Sequence, residues 1–400
     1  MAKYEIVDGV GIIPEGVTAI EDNAFEDCTS LTSVVIPSSV TEIGGCAFYG
    51  CTSLTSIEIP SSVTRIRDYA FEGCTSLTSV IIPEGVTEIG WKTFNGCTSL
   101  TSIEIPSSVT EIGRCAFSGC SSLTSVVIPS SVTAIAIHAF VGCTSLTSVV
   151  VEDGNSVYDS REGCNAIIET ATNKLIQGCN STFIPSSVIA IGRDAFNGCT
   201  SLTSVVIPEG VTEIGESAFS DCTSLTSIEI PSSVIAIGWY AFDGCTSLTS
   251  VVIPEGVTEI GFRAFFDCSS LTSVVIPSSV TKIERFAFFD CTSLKSIVIP
   301  EGVTAIGGSA FKDCTSLTSV VINAKIKKIE SCTFYNCTAL ESITLPTGVN
   351  KIDARAFEGC TSLKAINVPA KKKDYYIQRL PKTLHSLIVE MEPVKKAKKK

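Results

Sequence analysis

A 23-residue repeat constrains this chain more than any other feature. Aligned copies give the frame LxxVxIPxxVxxIxxxAFxxCxx. One copy supplies Leu31, Val34, Ile36, Pro37, Val40, Ile43, Ala47, Phe48 and Cys51, and Leu54 opens the next. A chain of 400 residues ordinarily suggests two or three domains, but a short fixed period points to one elongated array instead. A single copy cannot bury its own apolar side, whereas stacked copies make a continuous core. The alternation at Val34 and Ile36 suits a strand with one face inward. Pro37 ends it, because proline has no N–H to give a ladder. Ala47, Phe48 and Cys51 have the i, i+1, i+4 spacing of one helical turn with a buried side. Each cysteine of this frame follows Gly, Asp or Asn, as at Gly50, Asp221 and Asn336. Those residues tolerate a left-handed backbone, so a tight turn is expected there. The expected fold is a right-handed repeat solenoid with a narrow parallel β-sheet on one face and short helical turns or loops on the other.

The stretch IPSSVTEIGGCAFYGCTSLTSI, residues 36–57, carries the whole frame, including the AFxxC segment that other leucine-rich repeats lack. In this it resembles the BspA-like (treponemal-type) leucine-rich repeat, and the likeness covers nearly all of the chain. The resemblance implies a leucine-rich-repeat-like coil without enzymatic activity. It also implies a kinship with bacterial surface proteins that adhere to host proteins.

Fourteen of the nineteen cysteines occupy one slot: Cys28, Cys51, Cys74, Cys97, Cys120 and Cys143, then once per repeat from Cys199 to Cys360. Disulfide scaffolds are usually short secreted chains with irregular cysteine spacing. A strictly periodic cysteine reads instead as a small buried hydrophobe. Reduced thiols are therefore expected along the column.

The period breaks once. Glu152 takes a proline slot, and the next proline of the frame is Pro185, more than one period later but less than two. Within this stretch, CNAIIETATNKLIQGC reads as two strands around a polar turn, a hairpin inserted in the solenoid wall. Cys164 and Cys179 flank that hairpin, and a bridge between them is left open. The expected organisation is an N-terminal cap hairpin at 1–13, where Asp8–Gly9 signals the turn, followed by repeats at 14–151. An irregular repeat follows at 152–184, then regular repeats at 185–369. A C-terminal cap at 370–394 covers the last coil with Tyr375, Tyr376, Leu380, Leu384, Leu387 and Ile388, and a basic disordered tail closes the chain at 395–400.

Composition excludes several functions. A formal net charge of −12 argues against general nucleic-acid binding. No apolar run approaches the roughly 18 residues of a membrane span. The start, MAKYEIVDGV, has no apolar signal core, which leads to an expectation of a cytoplasmic protein. The surface relatives suggest the cell surface as the alternative. The only histidines are His138 and His385, and no nucleophile motif, phosphate loop or paired CxxC occurs. Asp267, Asp290 and Asp313 form a column, but Gly fills the same slot elsewhere, marking it as a turn position. No catalytic residue, metal or cofactor is expected.

Function is then expected in the slots that vary from copy to copy, since packing holds the rest. Three such slots flank the AF pair, those of Trp239, Tyr240 and Asp243, and all three are expected to face solvent. Both tryptophans, Trp91 and Trp239, fall in the first of them. Phe262, Phe266, Phe286 and Phe289 lie outside both the frame and the insert, in two neighbouring coils. Aromatic residues carry binding energy at interfaces. Trp239, Tyr240, Phe262, Phe266, Phe286 and Phe289, with Trp91, are therefore the candidate partner-binding residues. The expected function is a monomeric protein-recognition scaffold whose partner is a host matrix protein or a bacterial protein. An inert structural spacer is the alternative. The exposed strand column running from Val35 to Val321 is read as structural, because β-branched residues favour strands whatever lies beside them.

Overall fold

The computed structural model describes residues 2–380 and 382–392; the tail expected at 395–400 lies outside the described residues. By contact the chain divides into two compact units, Met1–Leu202 and Thr203–Lys400. Each is a β-solenoid whose coils follow the period of the sequence, built from short strands with very little helix.

A coil contains two short strands rather than one. Ser33–Val35 is followed by a turn, in which Val40 N–H reaches Pro37 O at 3.1 Å, and then by Glu42–Ile43. Equivalent strands of successive coils pair in parallel, one period apart: Ser56 faces Ser79, Ile57 faces Val80, and Glu42 faces Arg65. The second strand escapes a reading by alternation because it is only two residues long, with just Ile43 turned inward.

The AFxxC segment is a run of tight turns, not a helical turn. Cys46, Phe48 and Gly50 donate their N–H groups to Asp68, Ala70 and Glu72 of the next coil at 2.8–3.1 Å. Tyr49 and Cys51 between them close turns on Cys46 O and Phe48 O at 3.1 Å. Such alternation requires left-handed residues at two places, Cys46 (φ 54°) and Gly50 (φ 66°). The second is the Gly, Asp or Asn position expected before the cysteine. The first is filled by Tyr69, Lys92, His138, Tyr240, Arg263 or Phe286 in other coils, and nothing in its composition announces it.

Phenylalanines stack behind these turns. Phe242, Phe265 and Phe288 lie 5.2 and 5.3 Å apart with ring planes within 7° of parallel, and all three are fully buried. All nineteen cysteines are free thiols. Those of the column do more than fill space. Cys74 Sγ donates to Phe48 O of the preceding coil at 3.1 Å, and Cys97 Sγ to Phe71 O at 3.2 Å. Burial pushes the Cys51 and Cys120 thiols up to about 12, so both stay protonated at neutral pH.

At the irregular repeat, Ile167–Glu169 and Lys174–Gln177 pair antiparallel around a short loop, and Lys174–Gln177 then pairs in parallel with Ala190–Ile191. A bulge at Ile167/Ile168 shifts the register. The thiols of Cys164 and Cys179 find separate acceptors, Ala166 O at 3.8 Å and Asn165 O at 3.4 Å, and no bridge joins them. At the N-terminus, Glu5–Val7 and Val10–Ile12 form a hairpin through Asp8 (φ 49°) and Gly9 (φ 82°). At the C-terminus, Ile388–Glu390 adds a last parallel strand to Ala365–Val368. Tyr376, Leu380 and Ile388 are buried there, while Tyr375, Leu384 and Leu387 are half-buried.

Two measurements test this account. In the native protein a bulky thiol reagent should reach at most the five partly exposed cysteines, Cys28, Cys46, Cys115, Cys332 and Cys360, and unfolding without reductant should expose all nineteen. A lower count after unfolding would show that disulfides are present. Phe265→Ala should lower stability to denaturant by about 3–5 kcal/mol, the range for a buried phenyl. A change within about 0.5 kcal/mol, the range of an exposed site, would show that the phenyl column does not hold the coils together.

Candidate protein-recognition surface

Side chains at the variable slots leave the coil where the backbone allows nothing else. A Cβ on Gly238 would stand 2.5 Å from Glu216 N, so this residue is held to glycine and the next, Trp239, turns outward. Tyr240 follows at φ 58° and its counterpart Phe286 at φ 60°. The left-handed bend throws these side chains sideways along the wall, towards the neighbouring coil.

Six of the seven candidate aromatics form one cluster. The Trp239 ring meets Phe262 at 6.5 Å, and Tyr240 meets the same ring edge-on at 5.3 Å. Phe262 meets Phe286 at 5.7 Å and 85°, Phe286 meets Phe289 at 5.8 Å, and Phe289 stacks on Phe266 at 4.8 Å. Edge-on and offset contacts of this kind match the ring quadrupoles. Trp91 belongs to the N-terminal unit, where its ring packs on Tyr69 at 4.8 Å.

Solvent exposure is less uniform than the variability suggests. Trp239 and Trp91 are 53% and 42% exposed. Tyr240, Phe262, Phe266, Phe286 and Phe289 are half-buried, because each ring lies against another ring or cation of the wall. The third slot departs furthest. The Asp243 side chain is only 14% exposed, and burial pushes its carboxyl up to about 6, although Arg263 beside it pulls the other way.

Cations among the rings are the part that the sequence did not announce. The Arg263 guanidinium sits 3.6 Å above the Phe266 centroid and 5.4 Å from Tyr240. Its Nε lies 2.9 Å from Asp243 Oδ2, off the hydrogen-bond line, and Nη2 donates to Oδ1 at 3.4 Å. Lys312 Nζ is 4.6 Å from the Phe289 centroid, and Arg285 lies 5.4 Å from Phe286. Basic residues at variable slots beside the extra phenylalanines were the available signal. The surface is thus an aromatic floor with three cations on it, which suits contact with a partner protein better than catalysis.

The remaining sequence features sit elsewhere. Asp267, Asp290 and Asp313 are left-handed turn residues (φ 52–61°), which explains why Gly shares their slot. His138 Nδ1 lies 2.7 Å from Asp194 Oδ2, a pair that periodicity hides because the insert separates the two by more than two periods. His385 Nε2 contacts Leu380 O at 3.0 Å in the C-terminal cap. Among the described residues no helix is long and apolar enough to cross a membrane.

Known proteins place this geometry. A profile described as BspA type leucine rich repeat region (6 copies) matches residues 11–122, 66–172, 168–291 and 258–378. No curated protein matches the chain. Among solved structures, a leucine-rich repeat protein from Bacteroides ovatus is 28% identical over 96% of this chain and 92% of that one, with a TM-score of 0.54. A leucine rich cell surface protein from Faecalibacterium prausnitzii is 29% identical over 93% and 90%, with a TM-score of 0.52. One from Eubacterium ventriosum is 25% identical over 88% and 83%, with a TM-score of 0.59. The chain belongs to the BspA-type leucine-rich repeat family and is a non-enzymatic repeat scaffold.

Proposed function

We propose that the chain is a protein-recognition scaffold that engages its partner through the aromatic cluster of Trp239, Tyr240, Phe262, Phe266, Phe286 and Phe289. One observation carries this reading: six aromatic side chains from the variable slots of adjacent coils form a single connected surface with Trp239 standing out of it. A drift of solvent-facing slots without selection would scatter large rings over all coils. Aromatics and arginine are the residue types that dominate binding energy at interfaces. The F. prausnitzii relative is named a cell surface protein, which supports a host matrix protein as the partner; retention in the cytoplasm points instead to a bacterial one. The spacer reading has its own support, since five of the six rings are half-buried and Arg263 and Lys312 cover two of them.

Alanine variants separate the two readings. Trp239→Ala should leave stability within about 0.5 kcal/mol, because the indole is exposed. It should weaken binding to a captured matrix or bacterial protein by more than about 2 kcal/mol, roughly 30-fold. Phe262→Ala should weaken binding as much and cost more stability, because its ring touches three others. If Trp239→Ala destabilises the fold as much as Phe265→Ala and leaves binding untouched, the cluster is wall packing.

A further inference from the structure

In the second strand of a coil, an exposed or half-buried slot precedes the inward isoleucine, as at Glu88–Ile89, Glu111–Ile112 and Lys328–Ile329. Where coils pair, neighbours in this slot stand about 4.8 Å apart. Glu88 faces Glu111 there in parallel register, and Lys328 faces Lys351 in the same way. Like charges directly opposite one another destabilise a sheet. Among the described residues neither Glu88 nor Glu111 has an ion-pair partner, and both are exposed. Lys328 pairs with Glu330, while Lys351 and the neighbouring exposed Lys325 and Lys327 have no carboxylate partner. Compensation inside the chain is partial, since Arg65 fills the slot one coil before Glu88 and Glu330 pairs with Lys328, while Glu111 and Lys351 are left unpaired, as expected of positions that meet something outside the chain.

The two columns suit each other. They have opposite sign, occupy the same slot of equivalent coils, and share one pitch, so a glutamate pair in one copy matches a lysine pair in another without strain. The surrounding charge follows the same division. Residues 1–202 carry 21 Asp and Glu against 8 Lys and Arg, whereas residues 323–373 carry 9 Lys and Arg against 4 Asp and Glu. We propose that Glu88 and Glu111 of one copy dock on Lys328 and Lys351 of a second copy, joining copies head to tail. Two different patches of one chain make a heterologous contact, which extends into open chains or closes into rings rather than stopping at a dimer. Exposed ion pairs are individually weak, so the assembly is dynamic and sensitive to salt.

Sedimentation of the full chain tests this. At about 0.1 M salt, where a Debye length of ~10 Å lets each patch act locally, the average mass should rise with protein concentration, and at about 1 M it should return to that of a monomer. The double variant Glu88→Lys/Glu111→Lys should stay monomeric, and so should Lys328→Glu/Lys351→Glu. An equimolar mixture of the two should assemble again, because each then carries the complement of the other. Circular dichroism should show both variants folded. A wild-type chain that is monomeric throughout overturns the proposal, as does assembly that either variant leaves unchanged or that the mixture fails to restore. Binding of inorganic polyphosphate by a monomeric wild type, lost in Lys328→Glu/Lys351→Glu, would assign the lysine column to a polyanion instead and also overturn it.

Discussion

The backbone hydrogen bonds between successive coils set one pitch, and every other regularity of the protein follows from it. Phe48 N–H on Ala70 O and Gly50 N–H on Glu72 O hold the turn side, while Gly44 N–H on Ile20 O and Thr55 N–H on Thr32 O hold the strand side. With the pitch set, identical side chains must sit on one another. The phenyl rings stack 5.2–5.7 Å apart because the coils do, not because that spacing suits phenyl rings best. The cysteine fits for the same reason, being small enough to stack and able to donate to a carbonyl of the preceding coil.

A stack so uniform leaves few places for individuality. Residues that point inward meet their own copies and cannot change without leaving a void or a clash. Only the outward slots differ, and their neighbours are again the same slots one coil away. The extra aromatics of adjacent coils therefore become one surface rather than scattered points. Cations enter the same surface, and Arg263 is held there by Phe266 on one side and Asp243 on the other. By the same logic a charge repeated in one slot becomes a column, as with Glu88 and Glu111 or Lys328 and Lys351.

Much of this was legible in the sequence. The period, the inward frame, the free thiols of the column and the left-handed position before each cysteine follow from residue types at fixed spacing. The aromatic cluster was legible as a group of residues, because Phe262, Phe266, Phe286 and Phe289 stand outside the frame in two adjacent copies. Its depth was not. Tyr240 and Phe286 are half-buried because a left-handed bend lays them along the wall, and that bend accepts Cys, Lys, His, Arg or Phe alike, while Phe262, Phe266 and Phe289 are covered by neighbouring rings and cations. The second strand was hidden by its length of two residues.

The sequence by itself determined the coil: its period, which side chains turn inward, and where the chain bends. These are local matters of side-chain size, polarity and backbone freedom, repeated often enough to be read without a structure. Tertiary structure decided what the repetition brings together. It replaced an expected helical turn with alternating turns bonded to the next coil. It shifted the register of the inserted hairpin at Ile167/Ile168 and gave Cys164 and Cys179 separate acceptors. His138 came against Asp194 where the insert replaces part of a coil. Each of these depends on contacts between residues far apart along the chain, and a period shows only that such contacts recur, not which atoms they join.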